Sequence, residues 1–127
     1  MATLNLARLF ADAHAAGMTA AMEHAPTPML VVEHTNPLND NSPIKRVYAP
    51  VMDGVCGFAW IVIKPANCAA AKYAKEHFGA RKGYEPGIHI WVHQFNQSYE
   101  RKMKYAAAFT EVLRGAGINA YADGRLD

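Results

Sequence analysis

The residues best able to do covalent chemistry are a cysteine and two histidines set in apolar runs. Cys56 lies in the string Gly-Val-Cys-Gly-Phe-Ala-Trp (residues 54–60), and His89 and His93 flank Trp91 in Ile-His-Ile-Trp-Val-His (residues 88–93). A thiol held within about 4 Å of an imidazole nitrogen makes a nucleophile and base pair. Cys56 with His89 or His93 therefore defines one candidate, a small thiol-dependent hydrolase. The residues that follow, 60–63, are strand formers, so no helix N-terminus stands behind the thiol to lower its pKa. The competing reading is a small buried residue in a central strand, the commonest use of a free cysteine.

Metal and cofactor chemistry find less support. On a strand, His89 and His93 share a face but sit roughly 13 Å apart, too far to bind one metal between them. His14, His24, His34 and His77 fall into no two-histidine helix motif or Cys-His cluster. The polar loop from Asn36 to Ser42 lacks the carboxylates, central glycine and terminal glutamate of a calcium loop, and reads as a turn. Gly54 and Gly57 lie beside and within a strand, with no helix N-terminus directly after them, so no phosphate-binding loop is present. No metal and no cofactor are expected.

The middle of the chain suggests recognition. From Lys64 to Lys104 there are eight basic residues against three acidic, a balance of +5, whereas the flanks carry five against eight, or −3. Tyr73, Tyr84, Trp91, Phe95, Tyr99 and Tyr105 interleave with the charges. Backbone-tracking cations combined with stacking rings on a sheet are the chemistry of single-stranded nucleic-acid sites. Arg81, Lys82, His89, Trp91, His93, Arg101, Lys102 and Lys104 are the expected partner-binding set. Because Trp and Arg are also the favoured anchors of protein interfaces, the same set serves a protein partner. Tyr73 and Tyr99 fall on apolar stripes and read as core.

These residues need elements to hold them. Leu6, Leu9, Phe10, Ala13, Gly17 and Ala21 recur at helical spacing, and the helix they predict ends before Pro26 and Pro28. Residues 29–33 predict a short strand. Residues 45–52 and 55–63 flank Asp53-Gly54, the strongest local hairpin signal, and are expected to pair antiparallel. The second of these segments is apolar on both faces, so it should be central in its sheet. Asn67 is the expected cap of a helix that stops at Gly79, and residues 88–95 alternate as a strand. Asn96 or Ser98 caps a last helix closed by Gly115 and Gly117, and residues 118–122 form a final strand before an Arg-Leu-Asp tail. The expected fold class is α+β: a mixed four- to five-stranded sheet with a β-hairpin at Asp53-Gly54 and about three helices packed on it.

The chain of 127 residues is 51% hydrophobic and 19% charged, which fits one globular domain spanning residues 1–127. Its longest apolar run, residues 58–63, stops at Lys64 and Pro65, far short of a membrane span. Met1 to Met22 carries polar residues throughout and lacks the apolar stretch of a secretory signal. Cys56 and Cys68 have no paired metal-ligand spacing and are expected to be free thiols. A small domain with half-covered sheet faces could also complete its core by forming a homodimer.

Residues 54–60, Lys64-Pro65, Ile-Trp-Val (90–92), Asn-Gln-Ser with Arg101 and Lys102, Ala-Gly-Ile (116–118) and Arg-Leu-Asp (125–127) together resemble a family of small uncharacterised proteins of tailed bacteriophages and prophages. The resemblance runs from about Pro28 to the C-terminus. It implies a phage product in the host cytoplasm, and supplies a setting, not a mechanism. The expectation is therefore a non-enzymatic phage accessory binding protein acting on a host or phage protein or a nucleic acid, with the Cys56 hydrolase as the alternative. The papain-like pattern is similar to residues 56–60 only in part, since its nucleophile position is Ala59 here.

Overall fold

The computed structural model describes residues 5–28, 32–36, 38, 41–47, 54–96 and 98–127. In chain order these form α1 (Leu6–Glu23), β1 (Val32–His34), β2 (Ile44–Val47), β3 (Gly57–Lys64), α2 (Ala69–His77), β4 (Arg81–Lys82), β5 (Ile88–Trp91), α3 (Tyr99–Gly115) and β6 (Asn119–Leu126). The fold class is α+β. β1 and β2 make a separate two-stranded ribbon, and the main sheet has the order β4-β5-β3-β6. Every ladder in it is antiparallel. From β3 onward the chain thus follows a split β-α-β-β-α-β path, with β3 and β5 in the centre.

The expected mixed sheet is corrected to an antiparallel one, and residues 48–53 of the expected hairpin, Asp53 of its turn included, lie outside the described residues. Among the described residues, Ile44–Val47 pairs with Val32–His34, and β3 is flanked by β5 and β6. The backbone just before β3 is occupied by the start of α3 and by the C-terminus. The Tyr99 N–H donates to the Val55 carbonyl at 3.1 Å, the Asp127 N–H donates to the Cys56 carbonyl at 3.0 Å, and Cys56 bridges Ser98.

The three helices pack in two tiers on one face of this sheet. Ala59, Ile61 and Ile63 of β3, Ile88 and Ile90 of β5, and Ala120 of β6 are buried against Ala70 and Ala74 of α2 and Ala106, Phe109 and Leu113 of α3. α1 lies over α2 and α3. Its Phe10 ring meets Tyr73, Phe78 and Phe109 at centroid distances of 4.8, 5.3 and 5.8 Å. Gly17 permits the approach, because a Cβ there would fall 2.6 Å from the Tyr105 ring of α3.

Side chains end the helices as residue types require. The Asn5 Oδ1 accepts from the Arg8 N–H, and the Ser98 Oγ accepts from the Arg101 N–H. α2 is capped by Cys68, whose Sγ accepts from Ala71 at 3.4 Å, one residue beyond the expected Asn67. A second tie holds the segment after α1 to the start of α3. The Glu100 Oε2 accepts from the Thr27 N–H at 2.8 Å, and Oε1 lies 3.3 Å from the His24 Nε2. The Thr27 bond, with His24 beside it, holds the Glu100 carboxyl below its ordinary pKa, partly offset by desolvation.

β6 differs most from expectation. It continues through Asp123-Gly124 to Leu126, paired with β3 along its whole length, where a short strand and tail were expected. Gly124 stays in the strand because it lies under α3: a Cβ there would fall 2.6 Å from the Met103 Sδ and 2.7 Å from the Phe58 carbonyl oxygen. Among the described residues, no helix is long and apolar enough to cross a membrane.

Candidate functional site: the helix-free face of the sheet

Strand alternation sends the other half of the sheet's side chains away from the helices: Phe58, Trp60, Val62 and Lys64 from β3, His89 and Trp91 from β5, and Tyr121, Asp123 and Arg125 from β6. Val62 is fully buried yet stands apart from the helix-side core. On the two central strands the rings form a continuous row. Phe58 and Trp91 meet edge to face at 6.0 Å, Trp91 and Trp60 lie 4.8 Å apart, and Trp60 and His89 are parallel to within 5° at 6.5 Å. The Arg125 guanidinium sits 5.5 Å from the Phe58 centroid and closes one end of the row.

The two ends differ in cover. At the Phe58 end, Trp91 is 38% exposed and Arg125 is exposed. At the other end, the connection from β4 to β5 (residues 83–87) folds back across the sheet. Gly83 lies so close to the His89 ring that a Cβ would collide with it, and Gly87 sits beside Val62 and Lys64. Glu85 reaches β6, where its Oε2 accepts from the Tyr121 hydroxyl at 2.8 Å. That bond raises the Tyr121 pKa. The Lys64 ammonium lies 5.2 Å from the same ring.

The partner-binding residues expected from sequence divide between two sides of the molecule. Trp91 is on the open face, and the β4 register puts Arg81 opposite His89 at the sheet edge, with Lys82 exposed next to it. His93 follows β5 and is exposed. His89 is corrected from exposed platform to buried ring, at 3% exposure beneath Gly83. Lys102 is corrected likewise: it is 5% exposed, and its Nζ donates to the Gly57 carbonyl at 3.2 Å. Arg101 donates from Nε to the His24 carbonyl at 3.2 Å, and Lys104 is exposed on α3, on the opposite side of the sheet from Trp91. Of the three basic residues of α3, only Lys102 reaches the ring row, where its buried ammonium lies 5.6 Å from the Phe58 centroid and adds no exposed charge.

Phe58, Trp60 and Arg125 were not singled out from sequence. The alternation of residues 57–64 does place Phe58 beside Trp60, but apolar residues on both faces of a strand read as burial on both sides. Arg125 read as tail because Asp123-Gly124 has the composition of a turn.

The thiol pair is not assembled with His89. That residue pairs with Val62, six residues along β3 from Cys56, or roughly 20 Å away. Among the described residues, no hydrogen bond joins Cys56 to His93, both cysteines are free, and no cluster of three metal-ligating side chains occurs. In the loop from Asn36 to Ser42, the Asn36 Oδ1 accepts from the Leu38 N–H and the Ser42 Oγ accepts from the Asn36 N–H, a turn closed on itself. Residues 37, 39 and 40 lie outside the described set. An apolar hollow of about 470 Å³ near Pro65, Cys68 and Ile118 carries no acid–base pair.

In comparison with known proteins, no family model, no curated protein and no solved structure matches this chain.

Proposed function

We propose that the chain is a non-enzymatic binding module that takes single-stranded nucleic acid on the helix-free face of its sheet. The setting follows from the sequence resemblance, a phage accessory protein working in the host cytoplasm. One observation carries the reading: Phe58, Trp60 and Trp91 line up on the two central strands of a four-stranded antiparallel sheet, on the side where no helix lies. Unstacked bases have exposed π-faces that such a row can accept, and stacking on an aromatic side chain contributes about 1–3 kcal/mol per base. Lys64, Arg81 and Arg125 border the row and supply cations for phosphates, with Asp123 and Glu85 as the acidic neighbours.

The charge of this face is modest, so stacking and not counterion release is the main source of affinity. With about three phosphates neutralised, log K should fall with log salt at a slope of about −2 for a single strand. Fluorescence anisotropy with single-stranded RNA and DNA dodecamers, matched duplexes and a salt series tests this. Micromolar binding of single strands, weak binding of duplexes and quenching of tryptophan emission are expected. Equal affinity for duplexes with a steep salt slope would sink the stacking reading.

A protein partner is the second reading, favoured by Tyr84, which is fully exposed on the loop that crosses the same face. A second copy of this chain is one such partner. If no oligonucleotide binds, a concentration-dependent sedimentation coefficient that Trp91→Ala abolishes would assign the face to a homodimer.

A further inference from the structure

We infer that the ring row has a fourth base position at His89, closed by the 83–87 loop, and that this loop is a strap released when Glu85 parts from Tyr121. The inference rests on the nucleic-acid reading above. His89 is 97% buried on a face otherwise open at Trp91, and its Nε2 has no hydrogen-bond partner among the described residues. Neither does the indole Nε1 of Trp60, whose ring is parallel to that of His89. Buried polar nitrogens are ordinarily satisfied, so two orphans on adjacent rings of one surface mark a place where a partner is missing. A nucleobase edge offers both donors and acceptors to such a pair, whichever nitrogen of His89 carries the proton.

What covers His89 is a short connection with few anchors. Gly83 rests on the ring only because it has no side chain, and Gly87 has a φ of +112° that returns the loop to β5. Tyr84 points fully into solvent and holds nothing down. The Glu85–Tyr121 hydrogen bond spans the sheet from the loop to the far strand, and it is the strap's polar fastening. Lifting the loop uncovers His89 and Val62 beside Trp60. It also frees the exposed Tyr84 ring to close over a base from above. Three stacked positions then become four, and the buried nitrogens of Trp60 and His89 acquire a base to read.

The test uses Tyr121→Phe and Glu85→Gln, which weaken the same bond from opposite sides, with His89→Phe, which keeps a ring and removes its nitrogens. Access to His89 is read without any nucleic acid, as its rate of carbethoxylation by diethyl pyrocarbonate, followed by peptide mass spectrometry with exposed His93 as internal reference. Affinity is read with homopolymeric and mixed-sequence single-stranded dodecamers. Both strap variants should raise His89 reactivity and tighten binding about three- to tenfold, the factor by which loss of one hydrogen bond shifts a two-state balance. His89→Phe should retain affinity and lose preference among the homopolymers. Unchanged His89 reactivity in both strap variants overturns the strap, even if the parent binds and Trp91→Ala weakens it. Increased reactivity without tighter binding overturns the fourth position while leaving the three-ring platform intact. If no oligonucleotide binds parent or variants, the nucleic-acid reading itself fails, and the fourth position fails with it.

Discussion

Trp60 and Trp91 face one another across the central ladder of the sheet, with ring centroids 4.8 Å apart and planes inclined by 32°. Trp60 is half-buried between its neighbours, while Trp91 is 38% exposed on a face that no helix covers. Truncating the exposed ring should therefore remove binding without removing the fold. Trp91→Ala is expected to weaken single-strand binding by a factor of about 5–100, the equivalent of one lost stacking contact, with little change in melting temperature. Trp60→Ala should lower both, because its ring also supports Trp91 and His89. Equal anisotropy curves for parent and Trp91→Ala would remove the platform.

Lys102 provides the contrasting case. A basic residue next to Arg101 in the first turn of α3 reads as a solvated cation, yet its ammonium is bonded to the Gly57 carbonyl and lies 5.6 Å from the Phe58 ring. Lys102→Ala is expected to cost about 1–3 kcal/mol of stability, since a charge-assisted bond is lost and a buried acceptor is exposed to nothing. The salt slope of oligonucleotide binding should not change. Lys104→Ala, on the exposed side of the same helix, should stay within about 0.5 kcal/mol of the parent. Urea denaturation of the two variants checks both values, and a shallower salt slope in Lys102→Ala would return that lysine to the binding surface.

Much of this arrangement is legible in the residues, and the failures have physical causes. The stripe of Phe10, Ala13, Gly17 and Ala21 shows the first helix because burial on one side of a helix imposes its period on the sequence. The alternation over residues 88–95 likewise marks a strand, which ends sooner than expected at Trp91, but it cannot say that a glycine loop will return over His89, because that contact is made by the absence of a side chain. Asp53-Gly54 and Asp123-Gly124 are the same dipeptide. Gly54 does adopt a positive φ of +74°, yet the strand after it finds its partners elsewhere in the chain, while Gly124 lies within a strand under Met103. Local turn preference is worth little against the pairing of eight residues with a central strand. The open face was hidden for a related reason. A strand apolar on both sides is ordinarily buried on both, and only the placement of all three helices on one side leaves Phe58, Trp60 and Trp91 uncovered.

Gly124 supplies a prediction from that geometry. A methyl group there would meet the Phe58 carbonyl oxygen at 2.7 Å, and backbone cannot yield as the Met103 side chain can. Gly124→Ala should cost about 1–3 kcal/mol by overpacking. Because the strain falls on the β3–β6 ladder beneath Phe58 and Arg125, oligonucleotide affinity should fall with stability. Gly115→Ala, at the end of α3 with open space around it, is the control expected to leave both unchanged. If Gly124→Ala melts with the parent, the close approach of the β3 backbone to Gly124 is wrong.

Tyr105 offers a test of the helix-side core by pH. Its hydroxyl lies 2.6 Å from the His14 Nδ1, and burial pushes its pKa from 10.0 to about 12. The neutral phenol is the form the folded state accommodates, so the sign of the linkage is fixed. Below pH 10 both states hold the proton and the full stability is present. Between pH 10 and about 12 the unfolded chain releases the proton while the folded one retains it, and stability falls as pH rises. Tyr105→Phe should cost about 1 kcal/mol at neutral pH through the lost bond to His14, and should make the alkaline loss shallower. A spectrophotometric titration at the phenolate band should show a component ionising near pH 12 in the parent that is missing from the variant. If the amplitude lost in Tyr105→Phe falls near the ordinary phenol value of 10.0, Tyr105 is open to solvent and α1 does not seal against α3 at Gly17.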